Sequence, residues 1–284
     1  MSTALLPPRD DTVEIWSGKD RGDENFPVGS LLIRADLRRH VHAFYAFARN
    51  ADDIADSDRL GPGEKVARLD VMEAVLLGQR DGGSPSALRL RASLAETGVT
   101  PQHSRDLLRA FRQDATKRRY ADWPELYDYC RYSAMPVGRH VLDLHGEAEA
   151  THAPSDALCA ALQVLNHLQD CRTDLLQLDR CYIPLDLLAT HGATVEDVRQ
   201  GRATSDLRRV LDALLDRVDA LNRVAPGLPR HTQSRRLRLE TAVIVGLSRR
   251  LARRLRRGDP LAQRVRLTPA DAAASVLAAL RYLA

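Results

Sequence analysis

An all-α fold is predicted by three features of the sequence. Aromatic residues make up only 5% of the chain, which is low for strands that lean on Tyr, Phe and Trp. Leu, Ala and Arg dominate instead, and all three are good helix formers. From about residue 37 onward, apolar residues recur at helical spacing, with no alternating stretch of useful length.

The elements follow in order. Residues 1–22 are polar, carry Pro7, Pro8, Gly18 and Gly22, and are expected to form an extended or mobile lead-in. A helix is predicted from Leu37 to Ala55, with Val41, Phe44, Tyr45, Ala48 and Ala51 on its apolar side and Gly61-Pro62-Gly63 behind it. Glu64 to Gly78 repeats the pattern and stops at Asp81-Gly82-Gly83-Ser84-Pro85. Gly98 and Pro101 separate Ser86–Thr97 from Gln102–Arg119. Trp123-Pro124 opens a helix running toward His145-Gly146, with Pro at an early helical position. A long helix is predicted from Ala157 to about Leu178. Others follow over Ser205–Val224, Thr232–Arg257 and Pro269–Leu283. No linker divides the chain, so residues 23–284 are expected to be one all-α domain.

Composition narrows the function. With 284 residues, 44% hydrophobic and 28% charged, the chain can bury a sizeable core and is not disordered. No stretch approaches 18 apolar residues, and the N-terminus lacks a secretory signal pattern. A cytoplasmic protein is expected, with peripheral contact at the inner membrane left open. Cys130, Cys159, Cys171 and Cys181 show no C-x-x-C spacing and read as free thiols.

The net charge of +4 hides a split. Between Arg230 and Arg257 stand ten Arg and one acid, Glu240, so the remainder carries −5. Arg249, Arg250, Arg253, Arg254, Arg256 and Arg257 recur at helical steps, with Leu247, Leu251 and Leu255 opposite. A solvated amphipathic face is the favoured reading. Peripheral contact with anionic lipid through the 249–257 face is the functional alternative. Nucleic acid is not expected, because aromatic interleaving and a helix-turn-helix pattern are absent.

Two segments put acids at helix-face spacing on otherwise apolar helices. Asp52 and Asp56 lie one turn apart, with Arg49 on the same face. Gln163, Asn166, Asp170 and Asp174 form a polar stripe at steps of three, four and four. Like charges at this spacing repel, and burial raises the cost. A hard cation relieves both, and oxygen donors suit Mg²⁺, which keeps coordination sites for water and phosphate. One such pair alone is usually a solvated face. Here two occur, without basic partners at i+4. His40, His42, His140 and His145 show no metal-ligand spacing and are expected to be satisfied or exposed.

These motifs resemble the squalene and phytoene synthase family, from about Asn25 to the C-terminus. The first aspartate motif is Asp52-Asp-Ile-Ala-Asp56, preceded by Tyr45 and Arg49. The second is Gln163-x-x-Asn166-x-x-x-Asp170-x-x-x-Asp174, followed by Arg180-x-Tyr182-x-Pro184. Tyr129-Cys130 and Val137-Gly138 match the family's middle segment. Departures are Gln169 before the second motif's Asp170, His167 after Asn166, and Glu24-Asn25-Phe26-Pro27-Val28-Gly29-Ser30 in place of a Ser-x-Ser-Phe segment. They are similar to the hydroxysqualene-forming branch of the bacterial hopanoid pathway.

The resemblance implies a single-domain class I isoprenoid synthase bundle with a central apolar cavity. It implies Mg²⁺, in several ions, held by Asp52, Asp56, Asn166, Asp170 and Asp174. Arg49, Gln163, Arg180, Tyr182, Asn25 and Phe26 would bind substrate, and Tyr45 and Tyr129 would join the aspartates in catalysis. Presqualene diphosphate would ionise and the rearranged cation would take up water, with no NADPH. The cavity wall would be apolar, with Phe44, Tyr45, Tyr129 and Tyr182 as aromatic candidates, although core packing is the favoured role for Phe44. His167 and Asn25 are candidates for holding the water, with a structural role favoured for His167. Farnesyl diphosphate would be the substrate in the alternative, a head-to-head prenyltransferase making presqualene diphosphate, squalene or phytoene. A non-catalytic helical protein that binds membrane or nucleic acid is the alternative of another class.

Overall fold

Helical spacing in the sequence becomes helix almost throughout. The computed structural model describes residues 12–15 and 34–283. Asn25, Phe26 and most of the expected lead-in therefore lie outside the described residues. Thirteen α-helices occur among those described, with no strand and one isolated bridge, Arg119 to Cys181.

The first four are α1 (Arg38–Asp56), α2 (Pro62–Leu76), α3 (Pro85–Thr97) and α4 (Gln102–Thr116). Phe47, Ile54, Leu69, Met72, Leu90 and Leu107 form their shared core. The short piece 12–15 is docked rather than loose. Glu14 accepts hydrogen bonds from Ser84 Oγ at 2.6 Å and from the Ser86 amide at 2.7 Å.

The expected helix from Trp123 toward His145 is two helices, α5 (Trp123–Ser133) and α6 (Met135–Leu144). Pro136 explains the break: it lacks an N–H, and its ring would press on the carbonyl four residues earlier. Then comes α7 (His152–Leu178), which packs against α5 and α6. Gly138 lets α6 approach α7. A Cβ there would stand 2.4 Å from Ser155 Oγ and 2.7 Å from Cys159 Sγ.

Two short helices, α8 (Leu185–Thr190) and α9 (Val195–Arg199), carry too few residues to show a period in sequence. Next are α10 (Ser205–Val224), α11 (Gly227–His231), α12 (Arg235–Arg257) and α13 (Pro269–Ala279), the last followed by a 3₁₀ turn over Leu280–Tyr282. Leu126, Leu165, Leu168, Leu211, Leu214 and Leu251 centre the larger core around α5, α7, α10 and α12.

The arginine stripe of α12 is not simply a solvated face. Leu247, Leu251 and Leu255 are buried as expected. Arg254, however, pairs with Asp271 and donates to Thr268 Oγ1 at 2.9 Å, tying α12 to the start of α13. Arg256 donates to Asp216 at 2.6 Å and Asp219 at 2.7 Å on α10. Part of the basic segment thus neutralises part of the acidic body.

The histidine expectation is met at His40 and needs correction at His140. His40 is buried and pairs with Ser93 Oγ at 2.8 Å. His140 is fully buried, and neither ring nitrogen has a hydrogen-bond partner among the described residues. Burial pushes its pKa down to about 3, so the ring is neutral and packs face to face on Phe44 at 3.8 Å. That stack gives Phe44 its core role.

Candidate active site

The end of α1 and the second half of α7 carry the two acid rows. On α1, Arg49 donates to Asp53 at 2.9 Å and lies 3.3 Å from Asp52. Asp53 is buried, whereas Asp52 and Asp56 keep about a third of their side-chain surface open, 36% and 34%. Burial among protein groups, with Asp56 close by, pushes the Asp52 carboxyl well above the usual range.

The segment after α7 joins the rows. Asp179 turns the chain at φ 52, a left-handed conformation that Asp tolerates better than most residues. The backbone of Cys181 then donates to Arg118 at 2.9 Å, fixing this segment beside the one after α4. Arg180 is consequently buried with its guanidinium fully engaged. It donates to Asp56 at 2.5 Å, to the Ala55 carbonyl at 2.8 Å and to the Asp114 carbonyl at 3.1 Å. Lys65 also donates to the Ala55 carbonyl, at 2.9 Å. Two cations thus close the C-terminal end of α1, where the helix dipole favours them.

On α7, Asp170 receives a two-pronged pair from Arg264, both contacts at 2.9 Å. Arg264 lies in the loop between α12 and α13, and Gln169 anchors that loop by donating to the Val265 carbonyl at 2.6 Å. The Asp174 side chain has no hydrogen bond or ion pair among the described residues. Burial, then Asp170 and Asp56, push its pKa up to about 8. Arg180 links the two rows, its backbone N–H donating to the Asp174 carbonyl at 3.2 Å while its guanidinium holds Asp56.

Beneath the rows sits a tyrosine cluster organised by one buried acid. Tyr129 donates to Asp114 Oδ2 at 2.7 Å and Tyr182 donates to Oδ1 at 3.1 Å. Burial raises the Asp114 pKa to about 6, against the pull of Arg180 and the tyrosine hydroxyls. Tyr182 stacks on His167 at 3.6 Å, and Gln163 Nε2 lies 3.2 Å from His167 Nε2. Burial lowers the His167 pKa to about 3, so the imidazole is neutral.

The structure therefore brings together Arg49, Asp52, Asp56, Asp170, Asp174, Arg180, Tyr129 and Tyr182. Gln163 and Asn166 are half-buried on α7, and Tyr45 is half-buried on α1. Sequence reasoning missed three residues. Asp53 was quoted without a role. Asp114 had one signal, a lone acid continuing the buried Leu107–Ala110 stripe of α4. Arg264 had none, because its partner is 94 residues away.

Among the described residues, no three His, Cys, Asp or Glu side chains converge as a ready-made metal cage. The donor chemistry of the two rows fits Mg²⁺, which takes one or two carboxylates and completes its octahedron with water and phosphate: both rows present hard oxygens, and the Asp174 carboxylate forms no ion pair among the described residues.

Comparison with known proteins extends the match beyond the motifs. The squalene/phytoene synthase family model matches residues 19–271. A hydroxysqualene synthase from Rhodopseudomonas palustris is 48% identical over 258 residues, 91% of this chain and 88% of that one. One from Sinorhizobium fredii is 45% identical, over 88% of this chain and 85% of that one. The crystal structure of squalene synthase HpnC from Alicyclobacillus acidocaldarius superposes with a TM-score of 0.73 at 34% identity, covering 84% of this chain and 90% of that one. With the helical fold, the paired aspartate motifs and a family match across most of its length, the chain belongs to the squalene/phytoene synthase family, enzymes of the all-α class I isoprenoid synthase fold.

Proposed function

We propose that the protein converts presqualene diphosphate and water to hydroxysqualene and diphosphate. The observation that carries this reading is the pair of opposed carboxylate rows, joined through Arg180 and short of positive charge at Asp174. Relatives named hydroxysqualene synthase, at 42–48% identity, support the choice of reaction within the family.

Asp52, Asp56, Asn166, Asp170 and Asp174 are the oxygen donors we assign to Mg²⁺. When bound, Mg²⁺ supplies Lewis-acid stabilisation of the leaving diphosphate. Arg49, which spans Asp52 and Asp53, and Arg264, which forks onto Asp170, stand beside those donors and can bind phosphate oxygens. Arg180 has its nitrogens on protein acceptors, so we assign it to holding Asp56 and the Asp114 backbone rather than to gripping phosphate.

Ionisation breaks the carbon–oxygen bond, and the electron pair leaves with diphosphate. The cyclopropylcarbinyl cation rearranges, a water oxygen adds, and a proton is lost. No electrons are gained, so the reaction needs no NADPH. We assign the Tyr129 ring to stabilising positive charge, because the Tyr182 ring is stacked between His167 and Tyr120. The hydroxyl protons of Tyr129 and Tyr182 are committed to Asp114, which leaves oxygen lone pairs as the outward polarity. Cytoplasmic placement with peripheral contact at the inner membrane completes the proposal. Among the described residues no helix is long and apolar enough to cross a membrane.

The test is product analysis with purified protein and Mg²⁺. Presqualene diphosphate should give hydroxysqualene, and farnesyl diphosphate alone should give little product. Efficient condensation of farnesyl diphosphate would replace this assignment with the family's prenyltransferase reaction.

A further inference from the structure

We propose that the edge formed by α12, α13 and the following 3₁₀ turn docks on an anionic phospholipid bilayer. Two separate observations meet there. The first is an unpartnered apolar stripe. Val276, Leu277, Leu280 and Leu283 are 47%, 69%, 48% and 47% exposed. Their spacing puts them along one side of the helix and turn. The other side of α13 is fixed, with Ser275 and Ala279 buried. A Cβ on Gly246 would lie 3.1 Å from Ser275, so α12 and α13 pack closely there. The leucines are thus held outward by a well-seated helix.

The second observation is a basic cleft beside the stripe. It encloses about 160 Å³ and is lined in part by Arg249, Arg250, Arg253, Arg281 and Tyr282. Among the described residues, the hydrogen-bond partners of these guanidiniums are neutral. Arg249 donates to the Asn222 carbonyl at 2.8 Å, Arg250 to the Gly246 carbonyl at 3.3 Å and Arg253 to the Arg249 carbonyl at 3.3 Å. Arg281 donates to the neighbouring Tyr282 hydroxyl at 3.4 Å and lies over that ring at 5.0 Å. No carboxylate pairs with any of the four among the described residues, unlike Arg254 and Arg256 on the same helix.

Exposed leucines gain from leaving water, and uncompensated arginines gain from meeting phosphate. A bilayer surface offers both at adjacent depths, acyl chains for the stripe and headgroups for the cleft. A second copy is the poorer occupant. A two-fold pairing through this edge would set arginines against arginines. The inference deepens the proposed function by naming the surface where an apolar thirty-carbon product would be delivered. Its test reads binding rather than turnover, so the two can fail separately.

The experiment is co-sedimentation of the full chain with vesicles of phosphatidylcholine, alone or with about one-third phosphatidylglycerol. Binding is expected to the anionic vesicles only and to weaken with salt. Leu277→Ser with Leu280→Ser, and separately Arg250→Glu with Arg253→Glu, should each lower binding about tenfold or more. Both variants should keep the native melting temperature, and Val224→Ser, at another exposed apolar position, should bind as native. Absence of native binding, or undiminished binding by both variants, overturns the proposal. So does self-association that both variants abolish without any vesicle binding, which would assign the edge to a second copy.

Discussion

Asp114 holds two tyrosine hydroxyls at once, and that arrangement sets the polarity of the site. As an acceptor it fixes Tyr129 and Tyr182 as donors. An amide at the same position would donate on one side and reverse one of those bonds. Asp114→Asn should therefore lower kcat about tenfold or more with little change in KM, in line with about 1–3 kcal/mol for one mispaired buried group. A parallel rise in KM, or native turnover, would show that the acid only fills space. This residue was nearly invisible in the sequence because it belongs to no repeated spacing. The paired aspartates were legible for the opposite reason, since two acids on one helical face conflict with the apolar residues around them. Arg180 was legible as part of a motif, but the motif did not show that its guanidinium faces protein carbonyls.

Helices carry these residues into register, and their ends decide the site more than their middles do. The long runs were readable from apolar period, including α1, α7, α10 and α12. The breaks were less so. Pro136 divides α5 from α6, and the contact of Gly138 with Ser155 and Cys159 depends on where α6 then lies. Gly138→Ala should destabilise the fold by about 1–3 kcal/mol, the usual range for overpacking. Adding Ser155→Ala should recover part of that loss, because the nearest obstructing atom is removed. Denaturant unfolding of the single and double variants checks this. An unchanged midpoint for Gly138→Ala would mean the two helices separate at no cost. The arginine stripe of α12 shows the limit of local pattern. Its periodicity was plain, but the acids that neutralise Arg254 and Arg256 come from α13 and α10.

For the molecule as a whole, the acid rows tie folding to pH and to metal. Burial raises the Asp52 and Asp174 pKa values, the latter to about 8, and that of Asp114 to about 6. The folded chain therefore binds more protons than the unfolded chain above the ordinary carboxyl range. The stability these groups contribute is complete below that range and is lost as pH rises through the raised values. Metal-free protein should melt at a lower temperature near pH 8 than near pH 5 on this account. Mg²⁺ competes with those protons, so it should raise the melting temperature more near pH 8 than near pH 5. The reverse order without metal would mean that burial does not hold these acids protonated, and the reverse order in the Mg²⁺ series would mean that the rows do not take the cation. Asp52→Asn with Asp170→Asn should remove most of the Mg²⁺ effect while leaving the fold intact, as read by calorimetry.

The central claim is capture of a carbocation by water, and isotope labelling tests it most directly. Presqualene diphosphate should be turned over in H₂¹⁸O with Mg²⁺ and without any reductant, and the alcohol examined by mass spectrometry. One ¹⁸O atom in the hydroxyl group of hydroxysqualene is the expected result. Unlabelled alcohol, or a hydrocarbon product formed only when NADPH is added, would contradict the account.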